Sequence, residues 1–169
     1  MVTSQLHCER GRGNLPRFGK CYRLDSSFDR VNYLGREGES YCDMKDQSPI
    51  GVVSCHVRDM TEPNIRPQES GNRMDCQYAT LSDGVRTVTF TAVDQPFELA
   101  VKPYSDRELA GMKHREDEVT TGTYVTVQAF QMGIGTGSCG PSTRKKYRFK
   151  RKKDYSFSFL ISWDSQGEE

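Results

Sequence analysis

Apolar and polar residues alternate along most of this chain in short runs, with the period of strands rather than helices. Residues 17–24, 50–57, 74–81, 85–92, 97–102, 124–131, 145–151 and 155–163 are rich in β-branched or aromatic residues and bounded by turn formers, so each is predicted as a strand. The last run is the most regular: Tyr155, Phe157, Phe159, Ile161 and Trp163 share one face, and Ser156, Ser158 and Ser162 the other. Ser82-Asp83-Gly84 joins two runs at hairpin spacing, because Asp-Gly tolerates the positive φ of a tight turn. One helix stands out. In Ser105-Asp106-Arg107-Glu108 the serine hydroxyl and the glutamate carboxylate can cap two free amides reciprocally, and the helix is expected to run to about Lys113. The pattern predicts an all-β, mostly antiparallel sandwich with one short helix. Residues 1–14, with Gly11 and Gly13, and the tail 164–169 read as loosely held segments around a single domain of residues 15–163.

At 169 residues the chain is long enough to bury a core, and its eight Phe and eight Tyr argue against disorder despite 28% charged residues. No apolar run approaches the ~18–20 residues of a membrane helix. The first ten residues lack a basic stretch followed by an apolar one, so no signal peptide is read and a cytoplasmic location is the default. Six cysteines are scattered without any C-x-x-C pair, which disfavours a zinc site; Cys21, Cys55 and Cys76 fall in strand-like runs and are expected to be small buried hydrophobes. Charge is uneven. Eight of the 24 basic residues lie within residues 144–153, leaving 16 basic against 23 acidic residues elsewhere, a balance of −7. Cations interleaved with rings can bind nucleic acid. Alternation offers a plainer reading, in which Tyr147 and Phe149 face the core while Lys146, Arg148 and Lys150 face water; no nucleic-acid or membrane partner is expected.

Candidate chemistry concentrates in Gln-Met-Gly-Ile-Gly-Thr-Gly-Ser-Cys-Gly-Pro at 131–141, a strand end breaking into a glycine-rich loop. Upstream stand Leu15-Pro16-Arg17-Phe18-Gly19 and Val31-Asn32-Tyr33-Leu34-Gly35-Arg36-Glu37-Gly38-Glu39-Ser40-Tyr41. Ile65-Arg66-Pro67-Gln68-Glu69-Ser70-Gly71-Asn72-Arg73 and Lys113-His114-Arg115 follow. In this order and spacing the set resembles the C-terminal β-sandwich domain of the family 2 β-galactosidases, which in some bacteria is a separate small chain. The resemblance implies a galactose mutarotase-like supersandwich in a bacterial protein. In the family that sandwich begins well before the segment matching Leu15. The resemblance therefore implies a fold truncated by about its first half, with strand edges and apolar surface that favour self-association.

Glycoside hydrolysis needs two positioned carboxyl groups. In the family they lie on a central barrel, whose magnesium and sodium ions are also the family's, and no βα alternation that would build one is visible here. The chain is therefore expected to hold no catalytic residue, no metal and no cofactor, and to be inactive alone. What the resemblance implies instead is a loop beside the substrate, Gly133, Gly135, Thr136, Gly137, Ser138 and Cys139, on a domain that packs against the catalytic portion of the same enzyme and meets the galactoside in the assembled site. The family's loop carries a tryptophan whose indole supports the sugar. Here Cys139 stands at or beside that position and the loop is about one residue shorter, a lost contact of ~1–2 kcal/mol at ~25 cal/mol per Å². Glu37 and Glu39 read as solvated loop acids, residues 66–73 as a rigid turn tied by arginines and Glu69, and His114 as a helix-terminal histidine. Neither His56 nor His114 can be set beside Cys139 to activate it. The competing class is a non-catalytic module that binds carbohydrate or another partner.

Overall fold

The computed structural model describes residues 1–8, 11, 13–133, 143–151 and 153–165. Among these residues twelve strands run in chain order as Val2–Leu6 (β1), Asn14–Leu15 (β2), Arg17–Leu24 (β3), Arg30–Arg36 (β4), Ile50–His56 (β5), Arg73–Cys76 (β6), Tyr78–Ser82 (β7), Arg86–Ala92 (β8), Phe97–Lys102 (β9), Thr123–Gln131 (β10), Phe149–Lys150 (β11) and Tyr155–Ser165 (β12). One α-helix, Asp106–Gly111 (α1), follows β9. A six-stranded sheet is ordered β1, β12, β8, β7, β4, β5; a four-stranded sheet is ordered β3, β10, β9, β6; β11 and β2 form a two-stranded ladder. All pairings are antiparallel.

The two larger sheets face each other over one core. Val31, Tyr33, Leu81, Val88, Phe90, Phe157 and Phe159 from one sheet pack with Phe97, Leu99, Val101, Val125 and Val127 from the other, all at most 3% exposed. Fully burying such a side chain stabilises by about 1.5–3 kcal/mol, which makes this face the main source of cohesion. The hairpin and helix signals hold. Gly84 has φ +96°, and Asp83 Oδ1 accepts from the amides of Val85 (3.0 Å) and Arg86 (2.7 Å). Ser105 Oγ accepts from Glu108 N, and Glu108 Oε2 accepts from Ser105 N (2.7 Å).

Several expectations change. Residues 74–81 are not one strand: β6 pairs with β9 in the small sheet, β7 with β4 and β8 in the large one, and the chain crosses between sheets at Gln77. Its amide donates to Leu34 O and its carbonyl accepts from Ala92 N. Asp75 takes φ +57° just before the crossing. Residues 30–36, unassigned from sequence, form the strand between β5 and β7. Within the segment read as loosely held, β1 pairs residue by residue with β12 and buries Ser4. The basic run is not a solvated strand. Lys145–Tyr147 is a 3₁₀ turn, only Phe149–Lys150 is strand, and half-buried Arg148 donates Nε to Thr143 O. Helix α1 ends at Gly111, so His114 lies beyond it, preceding the 3₁₀ turn Arg115–Asp117, where Asp117 Oδ2 accepts from the amides of Lys113 and His114. The inward face of β12 runs out before Trp163, which is 63% exposed and edge-on to Phe28. Cys21 is exposed on the outer face of β3, whereas Cys76 is fully buried and Cys55 half-buried.

Candidate functional site

Of the loop residues singled out from sequence, Gly133 is described; Gly135, Thr136, Gly137, Ser138 and Cys139 lie outside the described residues. Strand β10 pairs with β3 through a register shift between Gln128 and Phe130, and such a bulge re-aims the side chains that follow it. Past the bulge, Gln131 N donates to Glu98 Oε2 (3.0 Å), Met132 N to Pro16 O (2.7 Å), and Cys42 Sγ to Met132 O (3.5 Å). Gly133 has φ +81°, and a Cβ there would stand 3.0 Å from Tyr41 Cβ, so glycine is required twice over: by the backbone angle and by the ring against it.

Beneath the loop's root lies a buried polar network on the outer face of the four-stranded sheet. Asn72 Nδ2 donates to Glu98 Oε2 (2.7 Å) and Ser40 O (3.0 Å). Gln128 Nε2 donates to Asn72 Oδ1 (2.9 Å) and Gln131 Oε1 (2.8 Å). Glu39 Oε1 accepts from Gly71 N (2.8 Å) and Tyr41 OH (3.0 Å), so Glu39 is a loop clamp rather than a solvated acid; Glu37 is exposed. Asn72, Glu98, Gln128 and Gln131 are each at most 5% exposed. Burial pushes the Glu98 carboxyl up to about 8 against the pull of its bonds from Asn72 and Gln131 N, so near neutral pH it is protonated. Burial, reinforced by Glu39, pushes the Tyr41 hydroxyl far above its usual range, and burial pushes the Cys42 thiol up to about 11. Gln128 Oε1, in register opposite Glu98, has no hydrogen-bond partner among the described residues.

A charged cluster flanks this network. Lys102 Nζ donates to Glu69 Oε2 (2.7 Å) and Asp106 Oδ1 (3.1 Å), and Arg17 Nη2 to Asp106 Oδ2 (2.5 Å). Burial alone would raise Asp106; Lys102 and Arg17 hold it below its usual value. Residues 66–73 act as a tie, as their composition suggests: Glu69 joins Lys102, and Arg73, buried, donates Nε to Tyr33 OH (3.2 Å). His56 lies elsewhere, its Nδ1 3.1 Å from Asp29 Oδ2. Among the described residues no three His, Cys, Asp or Glu side chains are grouped to hold a metal ion, and no helix is long and apolar enough to cross a membrane.

Pro16, Glu39, Tyr41, Gly71, Asn72 and Gly133, drawn from four sequence motifs far apart in the chain, thus converge on one spot. A family model for the β-galactosidase small chain matches residues 1–161. The chain belongs to this family. The β-galactosidase of Staphylococcus xylosus is 32% identical over 164 residues, covering 96% of this chain and 16% of that protein. That of Actinobacillus pleuropneumoniae is 29% identical over 152 residues, covering 89% and 14%, and that of Streptococcus thermophilus 29% over 164 residues, covering 95% and 16%. The chain therefore spans about one sixth of the length of these relatives. The stretch matched by the small-chain family includes β1 and every residue of the network under the loop. That network is not legible in the sequence pattern, and residues 135–139 of the loop lie outside the described residues. Glu98 sits between Phe97 and Leu99, where alternation alone points it to solvent.

Proposed function

We propose that this chain is the small-chain portion of a β-galactosidase, packing against the catalytic portion and holding the glycine loop 133–140 beside the sugar during hydrolysis of terminal β-galactosides. The carrying observation is the convergence of the four motifs on the loop's root. A mere surface turn needs no buried scaffold, whereas here Glu98, Asn72 and Gln128 fix the outgoing backbone and Tyr41 backs Gly133. Such support is what a wall of a binding site requires, because a loop free to shift by 1 Å loses contact energy. The chemistry itself, two carboxyls flanking the scissile bond, is assigned to the catalytic portion, together with the magnesium and sodium ions the resemblance implies. Strand β5 supports the packing role: it is a sheet edge with Ile50 and Val52 exposed, surface that a covering domain would bury.

The test is reconstitution. The purified chain is expected to release no chromophore from a nitrophenyl β-galactoside and to bind free galactose very weakly, while co-expression with the catalytic portion from the same source yields activity. Turnover by the homogeneous chain alone would overturn the division of labour. Tight galactose binding by the chain alone would favour an autonomous carbohydrate-binding module.

A further inference from the structure

The basic run, residues 144–153, walls a cavity of about 710 Å³ next to the loop's two roots. Its floor is aromatic. Phe130 and Phe149 stack at 3.9 Å with 12° between planes, and Tyr155 lies 4.8 Å from Phe130. Its rim carries Lys145, Lys146, Lys150 and Lys153, all exposed. Among the described residues none of these lysines has an ion-pair partner; Lys146 lies 4.6 Å from the Tyr147 ring and Lys153 5.9 Å from the Tyr155 ring, contacts that leave their charge uncompensated. Among the described residues the one acid lining the cavity is Asp154, and it is engaged with His7 Nδ1 at 2.7 Å. Residues 134–142, which join the two roots, contain no Asp or Glu.

We propose that this cavity binds an anionic saccharide, a galactoside bearing a sulfate or phosphate ester, with the ester among the four lysines and the sugar ring against the aromatic floor. Four cations around one recess, without an ion-pair partner among the described residues, call for an oxyanion with several acceptor oxygens. The volume is far beyond that of a bare sulfate and lies within the ~300–1,000 Å³ of small-molecule sites, and the rings supply the apolar surface that a sugar face covers. A nucleic acid fits less well, because outside this run the chain carries 16 basic against 23 acidic residues and offers a polyanion no continuing track. That the saccharide is a galactoside rests on the function proposed above; that it is an anionic sugar does not.

Calorimetry on the chain itself, at low and at physiological salt, tests this without any turnover. Galactose 6-sulfate or galactose 6-phosphate is expected to bind roughly tenfold or more tighter than galactose and than inorganic sulfate, with salt weakening the binding. The stronger of the two esters identifies the group. Lys146→Gln with Lys153→Gln, exposed positions that leave the core untouched, is expected to erase the preference for the ester while far-UV circular dichroism is unchanged. Should the double variant fail to fold, Lys150→Gln alone gives the same reading. Equal binding of inorganic sulfate, tighter binding of an oligothymidylate that displaces the sugar ester, or no binding of either ester would each overturn the proposal. Because the readout is binding to this chain, a failure to reconstitute galactosidase activity leaves the result intact.

Discussion

Replacing Glu98 with glutamine should change how stability depends on pH, and the size of the change follows from the burial of one carboxyl. Glu98 is 4% exposed and accepts from Asn72 Nδ2 and Gln131 N through a single oxygen. Burial raises its pKa from 4.5 to about 8. In the unfolded chain the group ionises above about 4.5, whereas in the folded chain it stays neutral until about 8. The raised value therefore contributes stability that is complete below pH 4.5 and is lost as pH climbs to 8. At about 1.4 kcal/mol per unit over that span, the loss amounts to about 4–5 kcal/mol. Glutamine keeps an acceptor oxygen for Asn72 and Gln131 and cannot ionise, so Glu98→Gln should lack this slope. Denaturant unfolding followed by far-UV circular dichroism at several pH values from 4.5 to 9, at fixed ionic strength, measures the difference between the two proteins. Titrations elsewhere cancel in it, including Asp83, whose bonds from the Arg86 and Val85 amides hold it near 2. The variant should gain on the parent steadily between pH 5 and 8 and level off above. Parallel profiles over the whole range would refute the reasoning and mean that Glu98 is ionised inside the network.

Three further outcomes follow from the same geometry. Gly133→Ala imposes a left-handed φ on a side chain and presses its Cβ on Tyr41, so it should cost about 1–2 kcal/mol in the same unfolding assay and, in the assembled enzyme, raise KM more than it lowers kcat. Native thiol labelling should reach exposed Cys21, and Cys139 in its glycine-rich loop, well before half-buried Cys55, while Cys76 reacts only on unfolding; Cys42, its thiol pushed up to about 11, should lag behind Cys21 at pH 8. Asn72→Ala removes the donor to Glu98 and the acceptor of Gln128 at once, and should cost about 2–3 kcal/mol, more than Ser158→Ala on the outer face of β12.

What could be read from the sequence was whatever is encoded locally. The capping box at Ser105 and Glu108 and the Asp83-Gly84 turn each need only three or four neighbouring residues, and both signals match the structure. The aromatic face of β12 needs only alternation, and burial along it stops short of exposed Trp163. Residues 74–81 misled because two strands of different sheets abut at Gln77 with no break in apolar content; the positive φ of Asp75 leaves no sequence mark. The polar network was hidden for a related reason. Strand β9 is buried on both faces, so Glu98 and Lys102 occupy positions that alternation assigns to water, and tertiary contacts with residues 39–41 and 69–72 and with Asp106 cover them. The lysine-rimmed cavity was hidden because a 3₁₀ turn at Lys145–Tyr147 breaks the two-residue period that the sequence suggests.

The central claim, that the loop rooted on Glu98, Asn72 and Tyr41 borders the sugar, is tested most directly by Cys139→Trp in the assembled enzyme. An indole at this place restores the flat apolar face that the resemblance associates with the loop, a contact of ~1–2 kcal/mol. KM for a nitrophenyl β-galactoside should shift by roughly five- to thirtyfold, with unfolding midpoint and subunit assembly unchanged. An unaltered KM in a folded, assembled variant would contradict the account and leave the loop an architectural element away from the substrate.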